Sequence, residues 1–164
     1  MNLLSNGLRT LIRHPEQMAD LRRNLDDPEV VAGAVEEILR YDGALFMLTR
    51  FAAEDFEWHG RRISKGQKVY LYCLAANHDV RKFDDPGRFD IRRTDSKQHL
   101  AFGYGPHFCL GGPLARLEME VALPPLLRRY AALSLPAGDV PWRNNMTLRG
   151  QPSMQLRLSK GVRT

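Results

Sequence analysis

FGYGPHFCLG, residues 102–111, is the stretch on which the reading of this chain turns. It places one cysteine, Cys109, among Gly103, Gly105, Gly111 and Gly112. A run of helical character, PLARLEMEVAL, follows at once and begins with Pro113, a residue tolerated in the first turn of a helix. The spacing therefore puts the Cys109 sulfur just ahead of a helix N-terminus. Unbonded N–H groups and the helix dipole favour negative charge there, so the sulfur is expected as a thiolate. Glycines on both sides let the backbone take positive φ and come close to whatever the sulfur holds.

Several chemistries compete for such a sulfur. A free cysteine most often ends as a small buried hydrophobe. A glycine-rich loop entering a helix can cradle phosphate, but no Gly-Lys-Ser/Thr follows and neither nucleotide motif fits the spacing. Zinc takes four ligands, whereas Cys109 and His107 supply two. A nucleophile needs a base, and His107 is too near in sequence to form an obvious dyad. An axial thiolate on haem iron needs a single cysteine in an open, glycine-lined loop, and this option fits best.

The composition narrows the classes further. The 164 residues can support one domain with one core, and 1–164 is read as a single domain. A hydrophobic fraction of 43% and a charged fraction of 26% are globular values. The net charge of +5 comes from scattered arginines. Nucleic-acid binding needs a basic face with interleaved aromatics, which is absent, so no nucleic-acid partner is expected. An acidic protein or the carboxylates of haem suit that charge better. Two cysteines make no disulfide framework, and Cys73, in an apolar strand-like run, reads as core. No apolar run reaches the ~18 residues of a membrane span, so no membrane partner and a reduced cytoplasmic setting are expected.

Taken in order, residues 1–13 read as a helix with apolar Leu3, Leu4, Leu8, Leu11 and Ile12. Pro15 ends it and opens a second helix over 15–24. Asp27 offers an N-cap, with Pro28 starting a third helix over 28–41 whose Val31, Ala34, Val35, Ile38 and Leu39 share a face. Glu37 and Arg40 lie three apart on that helix; by spacing alone they are an exposed pair worth ~0.3–0.5 kcal/mol. Residues 44–73 change to short β-prone runs punctuated by Gly60 and Gly66, a small antiparallel sheet with Arg50 in its first strand. The helix after the cysteine loop spans 113–123, and Pro124 and Pro125 predict a kink or break near Leu123. In the tail, VPWRN and MQLRL alternate polar and apolar residues and predict strands closing back on the sheet. The fold class expected is mixed α/β, mainly α with a small antiparallel sheet.

Phe102, Gly105, Cys109 and Gly111 reproduce the F-x-x-G-x-x-x-C-x-G loop of the cytochrome P-450 family. HLAFG before it and LARLE after it resemble the soluble bacterial type. The resemblance implies haem b (iron protoporphyrin IX) as cofactor, with Cys109 as the proximal iron ligand and catalytic thiolate. Phe102, Gly103 and Gly111 belong to the cofactor-binding loop. VEEILRYDG resembles the family's E-x-x-R helix, which makes Glu37 and Arg40 a buried pair supporting the loop. Arg88, in the P-x-R-F pattern of KFDDPGRFDIRR, is the first candidate to complete a triad with them, and Arg93 is the alternative. Arg50, ten residues after Arg40, and His107, two before Cys109, match positions that contact haem propionates. AANHD, 75–79, resembles the family's short helix after the sheet.

The resemblance covers nearly the whole chain but only the carboxyl-terminal portion of the family fold. MNLLSNG resembles the second half of the long helix over the distal face of haem. The family's proton-managing acid and threonine would fall upstream of Met1, so the chain is read as a truncated or internally started member. The activity implied is insertion of one oxygen atom from O2 into a small apolar substrate, with electrons from a ferredoxin-type or flavin donor. Two alternatives stand beside it: a non-catalytic haem-binding fragment, and a haem-free structural domain with Cys109 packed. Apolar surface left open on the distal side is expected to promote self-association.

Overall fold

Three helices built from the first 42 residues form the frame on which the cysteine loop is hung. The computed structural model describes residues 2–136 and 141–160. Helix α1 spans Asn2–Arg13, α2 Pro15–Arg23 and α3 Pro28–Asp42, close to the expected bounds. Met1, which opened the expected first helix, lies outside the described residues. Asp27 caps α3: its side chain accepts from the Glu29 N–H at 2.9 Å and the Val30 N–H at 3.4 Å, a motif worth ~0.5–2 kcal/mol. A fourth long helix, α5, spans Gly112–Arg129 and lies against α3 and α1.

The core sits between these helices. Leu11, Ala34, Val35 and Ile38 are fully buried, and Met119, Leu123 and Leu127 of α5 complete the layer. Each such side chain contributes ~1.5–3 kcal/mol by leaving water. Gly7 sets the approach of α1: a Cβ there would lie 3.0 Å from the Met119 methyl carbon and 3.1 Å from Ile38. Any larger residue would push the helices apart.

Helix α5 continues through Pro124 and Pro125 where a break near Leu123 was expected. The two prolines delete two i→i−4 donors. The carbonyls left over belong to Glu120 and Val121, of which Val121 is exposed to water. Leu123, Pro124 and Leu127 are buried on the opposite side, so packing holds both halves in line against a local propensity cost.

The β structure is small and antiparallel, as expected, and among the described residues it is divided into three two-stranded ribbons. Strand β1 (Leu48–Phe51) pairs with β4 (Lys68–Leu71), and β2 (Phe56–Trp58) with β3 (Arg61–Ile63). In the tail, β5 (Tyr130–Ser134) pairs with β6 (Arg157–Lys160). The tail thus closes on itself; an isolated bridge, Leu45 to Leu148, links it to the earlier strand region. Residues 141–144 of the expected VPWRN strand form none, and Val140 lies outside the described residues. Trp142 is occupied otherwise, with the Arg149 and Arg9 guanidinium carbons 3.7 and 4.6 Å from its ring centroid. Of MQLRL, only Arg157 and Leu158 enter a strand. Cys73 is buried as expected, but it opens a short helix, α4 (Cys73–Ala76), which comes slightly before the expected 75–79.

Helix α3 carries two adjacent carboxylates with different partners. Glu37 takes a two-pronged contact from Arg40, Nε to Oε2 at 2.7 Å and Nη2 to Oε1 at 2.9 Å, with both side chains fully buried. The remaining Arg40 donors reach the carbonyls of Asn77 (2.8 Å), Pro86 (3.0 Å) and Arg88 (3.1 Å). All five of its N–H donors are therefore used. Of the two arginines considered as third member, Arg93 is the one beside the pair: its Nε lies 3.4 Å from Glu37 Oε1 and its side chain is buried. Arg88 turns outward to Asp90 at 3.2 Å, with its side chain 63% exposed. A tight turn precedes it: Asp85 has φ +40° and its carbonyl accepts the Arg88 N–H at 3.0 Å, while the Arg88 carbonyl accepts from Arg40.

Glu36 faces elsewhere. Its Oε2 accepts from His99 Nε2 at 3.1 Å, and its Oε1 from Arg116 Nε of α5. Burial pushes the Glu36 carboxyl up, but hydrogen bonds from His99 and Arg116 outweigh it and hold the group at about 2.

Two outcomes follow from this frame. In urea unfolding, Glu37→Ala is expected to cost ~3–5 kcal/mol, since it strands the buried Arg40 charge. Arg93→Ala should cost ~1–3 kcal/mol and Arg88→Ala only ~0–1 kcal/mol; equal losses at 88 and 93 would contradict the assignment. For Glu36 the folded pKa lies below the unfolded value of 4.5, so its contribution is full above 4.5 and is lost as pH falls toward about 2. Thermal melts between those limits should show a shallower acid slope in Glu36→Gln than in the parent.

Candidate functional site

The loop carrying Cys109 is folded by its own backbone. The Cys109 N–H donates to the Phe102 carbonyl at 2.9 Å, and the Cys109 carbonyl accepts from the Gly112 N–H at 3.1 Å. Between them, Gly105–His107 forms a 3-10 turn closed by the Phe108 N–H on the Gly105 carbonyl at 2.9 Å. Gly103 and Gly105 each take φ of +75°, a region closed to most side chains. Gly111 does not: it caps α5 with φ −81°. A Cβ there would stand 3.9 Å from the Cys109 sulfur, so neither backbone nor protein contact demands glycine. The sulfur lies just ahead of α5, as the position of Pro113 requires.

Cys109 is exposed, which removes the packed-cysteine reading, whereas Cys73 is buried and burial pushes its thiol up. Around Cys109 the loop presents apolar surface: Tyr104 is 83% exposed, Phe108 50% and Leu110 98%. Apolar groups held in water this way fit a face made to receive a flat apolar ligand. Gly103 and Tyr104 of the loop share the wall of a cavity of about 390 Å³ with Leu48, Arg50, Leu71, Tyr72 and Leu100. Among the described residues Arg50 has no carboxylate partner; its Nη1 donates only to the Thr49 carbonyl, at 3.0 Å.

The expected site residues therefore divide into two groups. Arg50 and Gly103 share the cavity wall. His107, Cys109 and Gly111 are exposed on the loop itself and do not line that cavity. Phe102 is half-buried and braces the loop from inside, its ring 4.8 Å from the Arg116 guanidinium carbon and edge-on to Phe108. An exposed sulfur, an apolar rim and an arginine without a carboxylate partner fit a flat apolar macrocycle bearing carboxylates. Zinc fits poorly, because no group of three or more metal-ligating side chains occurs among the described residues.

Three contributors escaped the sequence reading. Glu36 and Arg116 tie α3 to the start of α5. Asn77, 1% exposed, accepts the Leu100 N–H on its Oδ1 at 2.7 Å while its carbonyl accepts from Arg40. The one available signal was the doubled acid in VEEILR, since neighbouring residues on a helix point about 100° apart and cannot share a partner. Among the described residues no helix is long and apolar enough to cross a membrane.

Comparison with known proteins bears on the family and the fold. The family model described as Cytochrome P450 matches residues 2–158. The 6-deoxyerythronolide B hydroxylase of Saccharopolyspora erythraea is 47% identical over 160 residues, covering 96% of this chain and 39% of that protein. Among solved structures, the cytochrome P450 PksS of the Bacillus subtilis bacillaene polyketide synthase superposes with a TM-score of 0.90 at 40% identity, over 97% of this chain and 41% of that one. P450BioI, solved with an acyl carrier protein bearing hexadec-9Z-enoic acid, gives 0.88 at 40% identity, over 96% and 40%. The chain thus spans about 39% of the length of a curated relative that it matches over nearly its whole extent. Matched by that family model over nearly its whole length, and by these relatives at 40% identity or more, the chain belongs to the cytochrome P450 family.

Proposed function

We propose that the chain is the haem-thiolate part of a monooxygenase that inserts one oxygen atom from O2 into an apolar organic substrate. The observation that carries this reading is the exposed Cys109 sulfur in a family loop, beside an apolar cavity with Arg50 on its wall. Haem b, when bound, supplies the oxygen and electron chemistry, which a thiolate ligand favours toward O–O cleavage. Cys109 supplies that thiolate. Arg50 and His107 hold the haem carboxylates, Arg50 through the planar fork of its guanidinium. Phe102, Gly103 and Gly111 shape the loop against the ring, and Glu37, Arg40 and Arg93 hold the segment over residues 84–93 in place.

The B. subtilis relative is named for a polyketide synthase, so a polyketide-type molecule is the first substrate to test. A carrier-borne acyl chain, as in the P450BioI complex, is the next. The net charge of +5 suits an acidic electron donor, ferredoxin-type or flavin-containing, in the cytoplasm. Leu114, Leu117 and Val121, each more than half exposed along one side of α5, would drive self-association wherever nothing covers them. A second reading is a single haem-binding domain without turnover, which would give the same thiolate signature but no product.

The deciding experiment is reconstitution with haem, followed by reduction and addition of carbon monoxide. A strongly red-shifted Soret band that is lost in Cys109→Ser is the expected result, and haem binding without that shift would sink the thiolate assignment. Arg50→Leu should weaken haem retention about tenfold, the loss of roughly one charge-assisted contact, and leave the band position unchanged. Turnover of an apolar substrate with a supplied electron donor separates the monooxygenase from the non-catalytic reading.

A further inference from the structure

Glu37, Arg40 and Arg93 do not touch the cysteine loop. Among the described residues, their hydrogen bonds beyond one another reach only Asn77 and the strap over 84–95. The loop's two ends meet at a different group. His99 stands just before the loop and Arg116 just after it, and both reach the one Glu36 carboxylate. Arg116 adds a second contact, Nη2 to Oε2 at 3.3 Å. We propose that Glu36 is a positioning residue for the Cys109 loop, clamping its entry and exit to helix α3 through His99 and Arg116.

The circuit closes through short steps. Because the Ala101 N–H donates to His99 Nδ1 at 3.1 Å, the ring proton is on Nε2, where it donates to Glu36. His99 therefore holds Glu36 with one nitrogen and the loop backbone with the other. Phe102 follows directly; its carbonyl accepts the Cys109 N–H at 2.9 Å and its ring lies 4.8 Å from the Arg116 guanidinium carbon. At Gly112 an added Cβ would be in ordinary contact with the Phe108 ring, at 3.4 Å, and with Arg116 Nη1, at 3.5 Å, so both side chains lie over the start of α5. A single carboxylate thus fixes the separation of the two chain segments between which the sulfur is displayed.

The two arms differ in what they can replace. The Arg116 side chain is 28% exposed, so water can take over its contacts if Glu36 is removed. The His99 side chain is 2% exposed, so its donor would be left without a partner. Loss of Glu36 should therefore loosen the 99–103 entry more than the start of α5. Asn77, which holds the Leu100 N–H at 2.7 Å, is a separate tie and limits the opening.

The purpose of this clamp rests on the haem-thiolate reading, but its existence does not, so the test begins without haem. Amide hydrogen exchange of the whole chain, followed by mass spectrometry, is compared for the parent, Glu36→Gln and Arg116→Gln. Exchange across 100–112 should be at least about tenfold faster in Glu36→Gln, the scale of one lost charge-assisted hydrogen bond. Helices α1 and α2 should stay within about twofold of the parent. Arg116→Gln, at a partly exposed position, should give the same loop signature in weaker form and serves if Glu36→Gln does not fold. Unchanged loop exchange, or equal acceleration everywhere, overturns the clamp. With haem and carbon monoxide, Glu36→Gln should then show a smaller fraction of the red-shifted band at unchanged haem content. A parent without that band, but with a loosened loop in the variants, would refute the haem reading and leave the clamp standing.

Discussion

A charged pair with no access to water, Glu37 and Arg40, is the constraint on which the rest of the structure depends. Burying two ions is expensive, and the cost is offset only when every donor and acceptor finds a partner. Arg40 meets that condition through both Glu37 oxygens and three backbone carbonyls. Those carbonyls come from positions 77, 86 and 88, so satisfying one guanidinium dictates the path of a segment with little regular structure. The pair is a poor source of net stability compared with apolar side chains of the same size. What it supplies is a single allowed path for the chain behind the cysteine loop.

The neighbouring carboxylate extends that control forward. Glu37 organises the strap, and Glu36, one residue earlier, faces the two ends of the loop. Helix α3 is held in place by Val35, Ile38 and Leu39 in the core, so both carboxylates are presented from one rigid element. A sulfur that must meet a large flat ligand needs a backbone fixed to a few tenths of an ångström, which rigid supports supply better than a free loop. The positive φ at Gly103 and Gly105 then turns the loop so that its sulfur and apolar side chains face outward.

Local chemistry was legible in the sequence wherever the cause was local. Asp27 with Pro28 marked the start of α3, Pro15 that of α2, and the apolar spacing of Val31 to Leu39 its buried face. The cysteine loop was readable because Gly103, Gly105 and Pro113 each carry a backbone requirement. What escaped depended on distant partners. Pro124 and Pro125 suggested a break, but burial of Leu123 and Leu127 overrode propensity. Arg88 stood first by pattern and Arg93 second, but it is Arg93 that lies beside Glu37, while Arg88 turns out to Asp90. The clamp at Glu36 joins positions 80 residues apart to Arg116 and 63 apart to His99, beyond any periodicity.

Whether one sulfur of this chain is bonded to haem iron is read most directly from X-ray absorption at the iron edge of the haem-loaded protein. A single sulfur among the atoms bound to iron is expected, replaced by a lighter atom in Cys109→Ser. A spectrum showing only nitrogen and oxygen around iron in the parent protein, or a sulfur signal that persists in Cys109→Ser, would contradict it.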